Sequence, residues 1–117
     1  MIRMKYVIGV DLGTSAVKIL LVNQHGEVCL EVAKSYPLII EKSSYSEQNP
    51  EEWVEKTTAG IAELIHQFDG DVKDIEGISF SGQMHGLVLL DENHQVLRNA
   101  ILWNDTRTTR QCQEIYD

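Results

Sequence analysis

Residues 6–10, Tyr-Val-Ile-Gly-Val, form an almost wholly apolar run rich in β-branched side chains, the pattern of a strand buried on both faces. Polarity returns at Asp11, where Asp11-Leu12-Gly13-Thr14-Ser15 reads as a tight turn. Residues 16–23 then read as a second strand, and Gln24-His25-Gly26-Glu27 as the turn into a third strand over 28–35. The chain is expected to open as a three-stranded antiparallel meander. Residues 37–49 contain Ser43-Ser44-Tyr45-Ser46 and show neither alternation nor helical spacing, so an ordered surface connection is expected there. Asn49 is a good N-cap, with Pro50 at the first helical position and Glu51 and Glu52 suiting the positive end of a helix. Trp53, Thr57, Ile61, Leu64, Ile65 and Phe68 recur at the spacing of one helical face, and Asp69-Gly70 stops the pattern.

A fourth strand is predicted from Ile75 to Ser81. Because a helix separates it from the meander, the crossover rule predicts that it lies parallel to the first strand, with its end beside the Asp11 turn. Leu87 to Leu90 and Val96 to Leu102 read as a hairpin around Asp91-Glu92-Asn93-His94-Gln95, and a further helix is expected from Thr106 onward. This order, βββαβ, resembles an α/β ribonuclease H-like domain of the actin, hexokinase and Hsp70 type, with a mixed sheet that opens antiparallel.

At 117 residues the length is that of one domain, and the 43% apolar and 24% charged fractions suffice for a packed core without low-complexity segments. The formal net charge of −8 argues against nucleic acid or an anionic membrane as partner, since neutralising many phosphates needs clustered Lys and Arg. It leaves open a nucleotide held through backbone amides and Mg²⁺. Cys29 and Cys112 lack C-x-x-C spacing and suggest neither zinc nor a disulfide scaffold. Asp11 and Lys18 interrupt the apolar opening too early for a secretory signal or membrane span, so a cytoplasmic location is expected.

Three segments carry candidate chemistry. In the first, Gly13 permits close backbone approach to a phosphate, neighbouring N–H groups and the hydroxyls of Thr14 and Ser15 supply donors, and Lys18 can lean toward the same anion. Asp11 at the strand end suits hydrated Mg²⁺. The same residues also read as a plain hairpin turn, or as a variant of the D-[ST]-G-[ST] motif of dimeric aspartic proteases, in which Leu12 breaks the pattern. In the second, Gly82-Gln83-Met84-His85-Gly86, an amide, a thioether and an imidazole offer hydrogen bonds to hydroxyls and an apolar wall to a carbon chain; the alternative is a glycine-rich bend with His85 exposed. In the third, Trp103-Asn104-Asp105, an indole beside two polar side chains suits one face of a sugar, or else forms a core Trp followed by a helix cap. His25, His66 and His94 read as turn or helix-surface residues.

These segments, together with Ser46-Glu47-Gln48-Asn49-Pro50-Glu51-Glu52-Trp53 and Ile101 to Thr108, occur in the order found in the FGGY carbohydrate kinases, and the whole chain, 1–117, resembles the N-terminal part of that family's first domain. Met84-His85 stands where the glycerol-phosphorylating members carry Arg-Glu, which likens it to the bacterial members that phosphorylate D-xylulose. The resemblance implies transfer of the γ-phosphoryl group of MgATP to a sugar hydroxyl in a cleft between two domains. It implies that Asp11 acts near Mg²⁺ and the phosphates, that Gly13, Thr14, Ser15 and Lys18 cradle the phosphates, and that Gln83, Met84, His85, Trp103 and Asp105 line the sugar. It also implies that the general-base Asp, the adenine pocket and the second domain lie beyond Asp117. These 117 residues alone are then expected to be inactive and, with a sheet edge uncovered, to self-associate. A non-catalytic sugar- or nucleotide-binding module is the reading from a different class.

Overall fold

The computed structural model describes residues 3–116. The expected meander forms from β1 (Tyr6–Leu12), β2 (Ala16–Asn23) and β3 (Val28–Ser35). β1 and β2 pair antiparallel from Tyr6↔Asn23 to Leu12↔Val17, and β2 and β3 pair antiparallel from Ala16↔Ser35 onward. A short β4 (Glu47–Gln48) precedes helix α1 (Pro50–Gln67), and β5 (Ile75–Gly82) then joins parallel to β1, giving the sheet order β3-β2-β1-β5. β6 (Ala100–Ile101) pairs antiparallel with β4, and α2 (Thr109–Tyr116) follows. Packing divides the chain into two compact units, one running through Tyr36 and resuming at Trp53–Gln83, the other formed by Pro37–Glu52 and the chain from Met84 onward.

Helix α1 begins as its sequence dictates. The Asn49 side chain accepts a hydrogen bond from the Glu51 N–H at 3.1 Å, satisfying one of the donors that a helix start leaves unpaired. Leu64, fully buried, is the centre of the predicted apolar face, and Trp53, Ile61 and Phe68 pack around it. They meet Ile8, Val10, Val17, Ile19, Leu21 and Val32, one side of the pleat, together with Tyr36. The Phe68 ring meets the Tyr6 ring edge-on at 4.9 Å between centroids, locking the helix end to the start of β1. Gly60 is the residue of closest approach: a Cβ built there would overlap Ile19 Cδ1.

Four expectations are corrected. The first strand does not end at Val10, because Asp11 and Leu12 remain paired on both sides, to Lys18 and Val17 and to Ser81 and Gly82, so the ladder continues to Leu12. It is buried on one face rather than two. Val7 is half exposed, because α1 covers only one side of the sheet, and on the edge strand β5 Ile78 and Phe80 stay exposed although the register sets them level with Ile8 and Val10 on the α1 side. The connection 37–49 is not a surface loop throughout: Glu47 pairs with both Ile39 and Ile101, and Ser46, Glu47 and Gln48 are buried. The expected hairpin is reduced to isolated bridges at Leu90↔Val96 and Leu87↔Ile101 plus the two residues of β6, because His94 in the left-handed region and Arg98 turned to Glu47 break regular pairing. Among the described residues no helix is long and apolar enough to cross a membrane.

The Gly60–Ile19 approach gives a direct test of the helix-on-sheet packing. Gly60→Ala should gain helix propensity of about 1 kcal/mol but lose roughly 1–3 kcal/mol to overpacking. Ile19→Val, which removes the overlapping methyl, should cost clearly less in the Gly60→Ala background than alone. Urea unfolding of the four proteins measures that coupling.

Candidate functional site

In the first unit, the turn after β1 is closed by Gly13 N–H donating to Ala16 O at 2.9 Å. A Cβ on Gly13 would approach that oxygen to 3.0 Å, so the position favours glycine through crowding rather than through a positive φ. Thr14 is half-buried and Ser15 exposed at the tip. Asp11 lies on the outward face of β1, exposed, level with Ser81 on β5, whose hydroxyl donates to Asp11 Oδ1 at 3.2 Å. Gln83 N–H donates to Leu12 O at 3.0 Å, extending the parallel ladder one residue past the strand end. The expected juxtaposition of the Asp11 turn with the start of the Gly82–Gly86 segment is therefore present.

Lys18 sits on the same outward face, opposite Asp11 in the register, with its Nζ 3.5 Å from Glu31 Oε1. An open groove of about 220 Å³ runs along this face, lined by Asp11, Lys18, Ser79, Phe80 and Ser81. The arrangement offers an exposed carboxylate, two hydroxyls at the turn and an ammonium group at the end of a parallel strand pair, where ligands of α/β sheets gather.

In the second unit, the antiparallel bridge Leu87–Ile101, with hydrogen bonds of 2.8 and 3.0 Å, ties the segment carrying Met84 and His85 to the one carrying Trp103. Met84 is 72% and Trp103 56% exposed, so both present apolar surface to solvent, and Trp103 is not the core residue of the alternative reading. His85 is held at φ 61°, a left-handed conformation that costs a non-glycine residue roughly 1 kcal/mol. Such a residue persists only where its surroundings dictate it.

Asp105 stands apart from these exposed groups. Its side chain is 2% exposed, and its carboxylate accepts from Ser46 N–H at 2.7 Å, from Arg107 N–H at 3.0 Å and from the Arg107 guanidinium at 2.6–3.0 Å. Arg107 also pairs with Glu47 Oε2 and lies 3.6 Å over the Tyr45 ring, and Arg98 reaches the same Glu47 oxygen at 2.9 Å. The Arg107 guanidinium and the Ser46 and Arg107 N–H groups hold the Asp105 carboxyl well below the usual carboxylate range against its desolvation. Arg107 likewise lowers Glu47, opposed by burial. Asp105 therefore organises the loop after Trp103, and the helix begins at Thr109, too far on for Asp105 to cap it. Sequence reasoning missed Arg107, Glu47 and Tyr36. Only the short Asp105-x-Arg107 spacing offered a local hint, since the partners of Glu47 and Tyr36 lie 20 or more residues away.

The sheet order, the parallel β5 and the polar loops at its end define an α/β domain of the ribonuclease H-like, actin and hexokinase type. The chain matches the FGGY family of carbohydrate kinases, N-terminal domain, over residues 6–117, and belongs to that family. It is 70% identical over 109 residues to the xylulose kinase of Bacillus subtilis (strain 168), covering 93% of this chain and 22% of that protein. Among solved structures, a gluconate kinase from Lactobacillus acidophilus superposes with a TM-score of 0.89 at 34% identity, over 97% of this chain and 23% of the other. A ligand-bound xylulose kinase from the same organism gives 0.88 at 35%, over 96% and 22%. The chain spans about a fifth of the length of the relatives it matches. Family membership leaves the aspartic-protease reading of Asp11–Ser15 without support.

The buried ion network has a pH signature. Both carboxyls have folded pKa values below the ordinary 3.8 and 4.5, so their contribution to stability is complete above those values and is lost as pH falls through the depressed folded ones. Asp105→Asn should lower the Tm by about 5 °C or more at pH 7, with the gap to wild type narrowing below about pH 4. Thermal scans from pH 7 to pH 2.5 measure this.

Proposed function

We propose that the protein carrying this chain is an ATP-dependent sugar kinase of the cytoplasm that phosphorylates D-xylulose at its 5-hydroxyl, with these residues forming the N-terminal part of its first domain. The observation that carries the choice of sugar is the 70% identity to a protein named xylulose kinase over nearly the whole chain. The fold does not discriminate, since a gluconate kinase and a xylulose kinase superpose equally well. Identity favours xylulose, because the gluconokinase of Bacillus subtilis (strain 168) reaches only 36%. Gluconate or another sugar is the second reading, favoured by that structural similarity.

The turn suits a phosphate: Gly13 leaves no room for a side chain, and the Thr14 and Ser15 hydroxyls and local N–H groups are donors of the required kind. Among the described residues no cluster of three or more His, Cys, Asp or Glu could hold a metal alone. An exposed lone carboxylate at Asp11 fits Mg²⁺, which keeps several waters and takes its remaining ligands from the phosphates of its nucleotide. MgATP supplies the transferred phosphoryl group. Asp11 would orient the water shell of the ion, Gly13, Thr14 and Ser15 would hold phosphate oxygens, and Lys18 would add positive charge once released from Glu31. His85 would hydrogen-bond a sugar hydroxyl, Met84 and Trp103 would exclude water from its carbon face, Gln83 would help orient it, and Asp105 would act through the loop that it pins. The general base lies outside these 117 residues, so positioning and charge stabilisation are this segment's share of catalysis.

The test is D-xylulose-dependent ADP formation from MgATP by the full-length gene product, with gluconate and glycerol as competing substrates. Activity highest on D-xylulose is expected, and His85→Ala should raise the KM for the sugar about tenfold through loss of one directional hydrogen bond. A folded gene product inactive on D-xylulose but active on gluconate would replace the first reading with the second. The isolated 117-residue chain should be inactive and should self-associate through β5, whose Ile78 and Phe80 are exposed on an edge strand. Light scattering at rising concentration checks this, and a monodisperse monomer would refute it.

A further inference from the structure

Tyr36 stands directly behind the turn 13–16, is 5% exposed, and has no part in the chemistry described above. Its N–H donates to Ser15 O at 3.2 Å, and its hydroxyl reaches both Gly13 O and Ala16 O, the latter at 3.2 Å. One residue thus addresses three of the four carbonyls of the turn. Burial, reinforced by the Asp11 carboxylate, pushes the phenol pKa up, so the hydroxyl remains a donor at neutral pH. Ala16 O also accepts from Gly13 N–H, so the hydroxyl and the turn's own closing hydrogen bond converge on one oxygen.

The consequence follows from peptide geometry. Among the described residues every peptide bond is trans, and in a trans peptide the N–H of one residue points opposite to the carbonyl before it. A Gly13 carbonyl drawn inward to Tyr36 therefore turns the Thr14 N–H away from the core. We propose that Tyr36 is a positioning residue for the phosphate turn, its hydroxyl fixing the Gly13 and Ala16 carbonyls so that the Thr14 amide is presented to a phosphate oxygen of the nucleotide. This rests on the reading of residues 11–15 as a phosphate turn. The ring itself packs in the core among Val17, Val32 and their neighbours, and only the hydroxyl carries the positioning role.

Tyr36→Phe in the full-length gene product keeps the ring and removes the hydroxyl. Three readouts separate positioning from packing: MgADP affinity by isothermal titration, the KM values for MgATP and for D-xylulose taken separately, and amide hydrogen exchange across residues 13–16 without nucleotide. The Phe variant should bind MgADP about fivefold more weakly and raise the KM for MgATP by a similar factor, as expected for one lost hydrogen bond. Exchange at 13–16 should quicken while the KM for the sugar stays put. Unchanged MgADP affinity in a folded Phe variant overturns the proposal alone, as does an equal rise in both KM values. A wild-type protein that binds no MgADP overturns the phosphate-turn reading as well. One measurement needs no variant: saturating MgADP should slow exchange at 13–16 in the wild type, and absence of that protection also overturns the proposal.

Discussion

The pairing of β1 with both β2 and β5 is the constraint on which the first unit depends. β1 is hydrogen-bonded along both edges, antiparallel to a strand four residues away in sequence and parallel to one that begins more than sixty residues later. The second pairing is the expensive one, since a long loop must be ordered before its ladder forms. α1 makes it possible by packing Leu64 into the sheet face formed by Ile8, Val10, Val17, Ile19 and Leu21, apolar burial that offsets the cost of ordering the crossover. Once β5 lies in register, Ser81 stands beside Asp11, Gly82 beside Leu12, and the Gln83 N–H reaches the Leu12 carbonyl. The polar groups at the two strand ends are neighbours because of the ladder, with no attraction between them required.

The second unit is organised by charge. Among its described residues the only buried large apolar one is Leu102, accompanied by Ala100, so burial of hydrocarbon cannot define it alone. Asp105, Arg107 and Glu47 supply the specificity. A carboxylate buried to this depth must be paired and hydrogen-bonded, and Asp105 accepts from a backbone N–H of a segment 59 residues earlier as well as from the Arg107 fork. Those directional contacts fix where the chain around Trp103 runs, while Trp103 and Met84 stay exposed. In a chain of net charge −8, two of ten basic residues are committed to one buried glutamate.

The first unit was largely legible in the sequence. Its β-branched runs, the Gln24–Glu27 turn and the 3.6-residue spacing from Trp53 to Phe68 are local signals, as is the Asn49–Pro50 cap just before it, and each of these elements formed within one or two residues of expectation. The connection 37–49 and the Leu87–Leu102 region were less legible because their order comes from pairings with distant partners, Ile39 and Ile101 with Glu47 and Arg98 with the same residue. Asp105 shows the limit for side-chain roles. Beside a Trp and an Asn it looked like a sugar ligand, and only the fold revealed an arginine and an amide already engaging its carboxylate.

Sequence alone determined which residue types stand at the strand ends, that a glycine occupies the crowded Gly13 position, and that one helix crosses between the meander and the parallel strand, because hydrophobic period and turn chemistry are properties of neighbouring residues. Tertiary structure alone decided that only one face of the sheet is covered, that Glu47, Arg107 and Asp105 form one buried network, and that Tyr36 lies behind the turn 13–16. Each of these depends on which surfaces meet across 20 to 70 residues of chain, and packing and desolvation, the forces that settle such meetings, leave no periodic trace in a linear pattern.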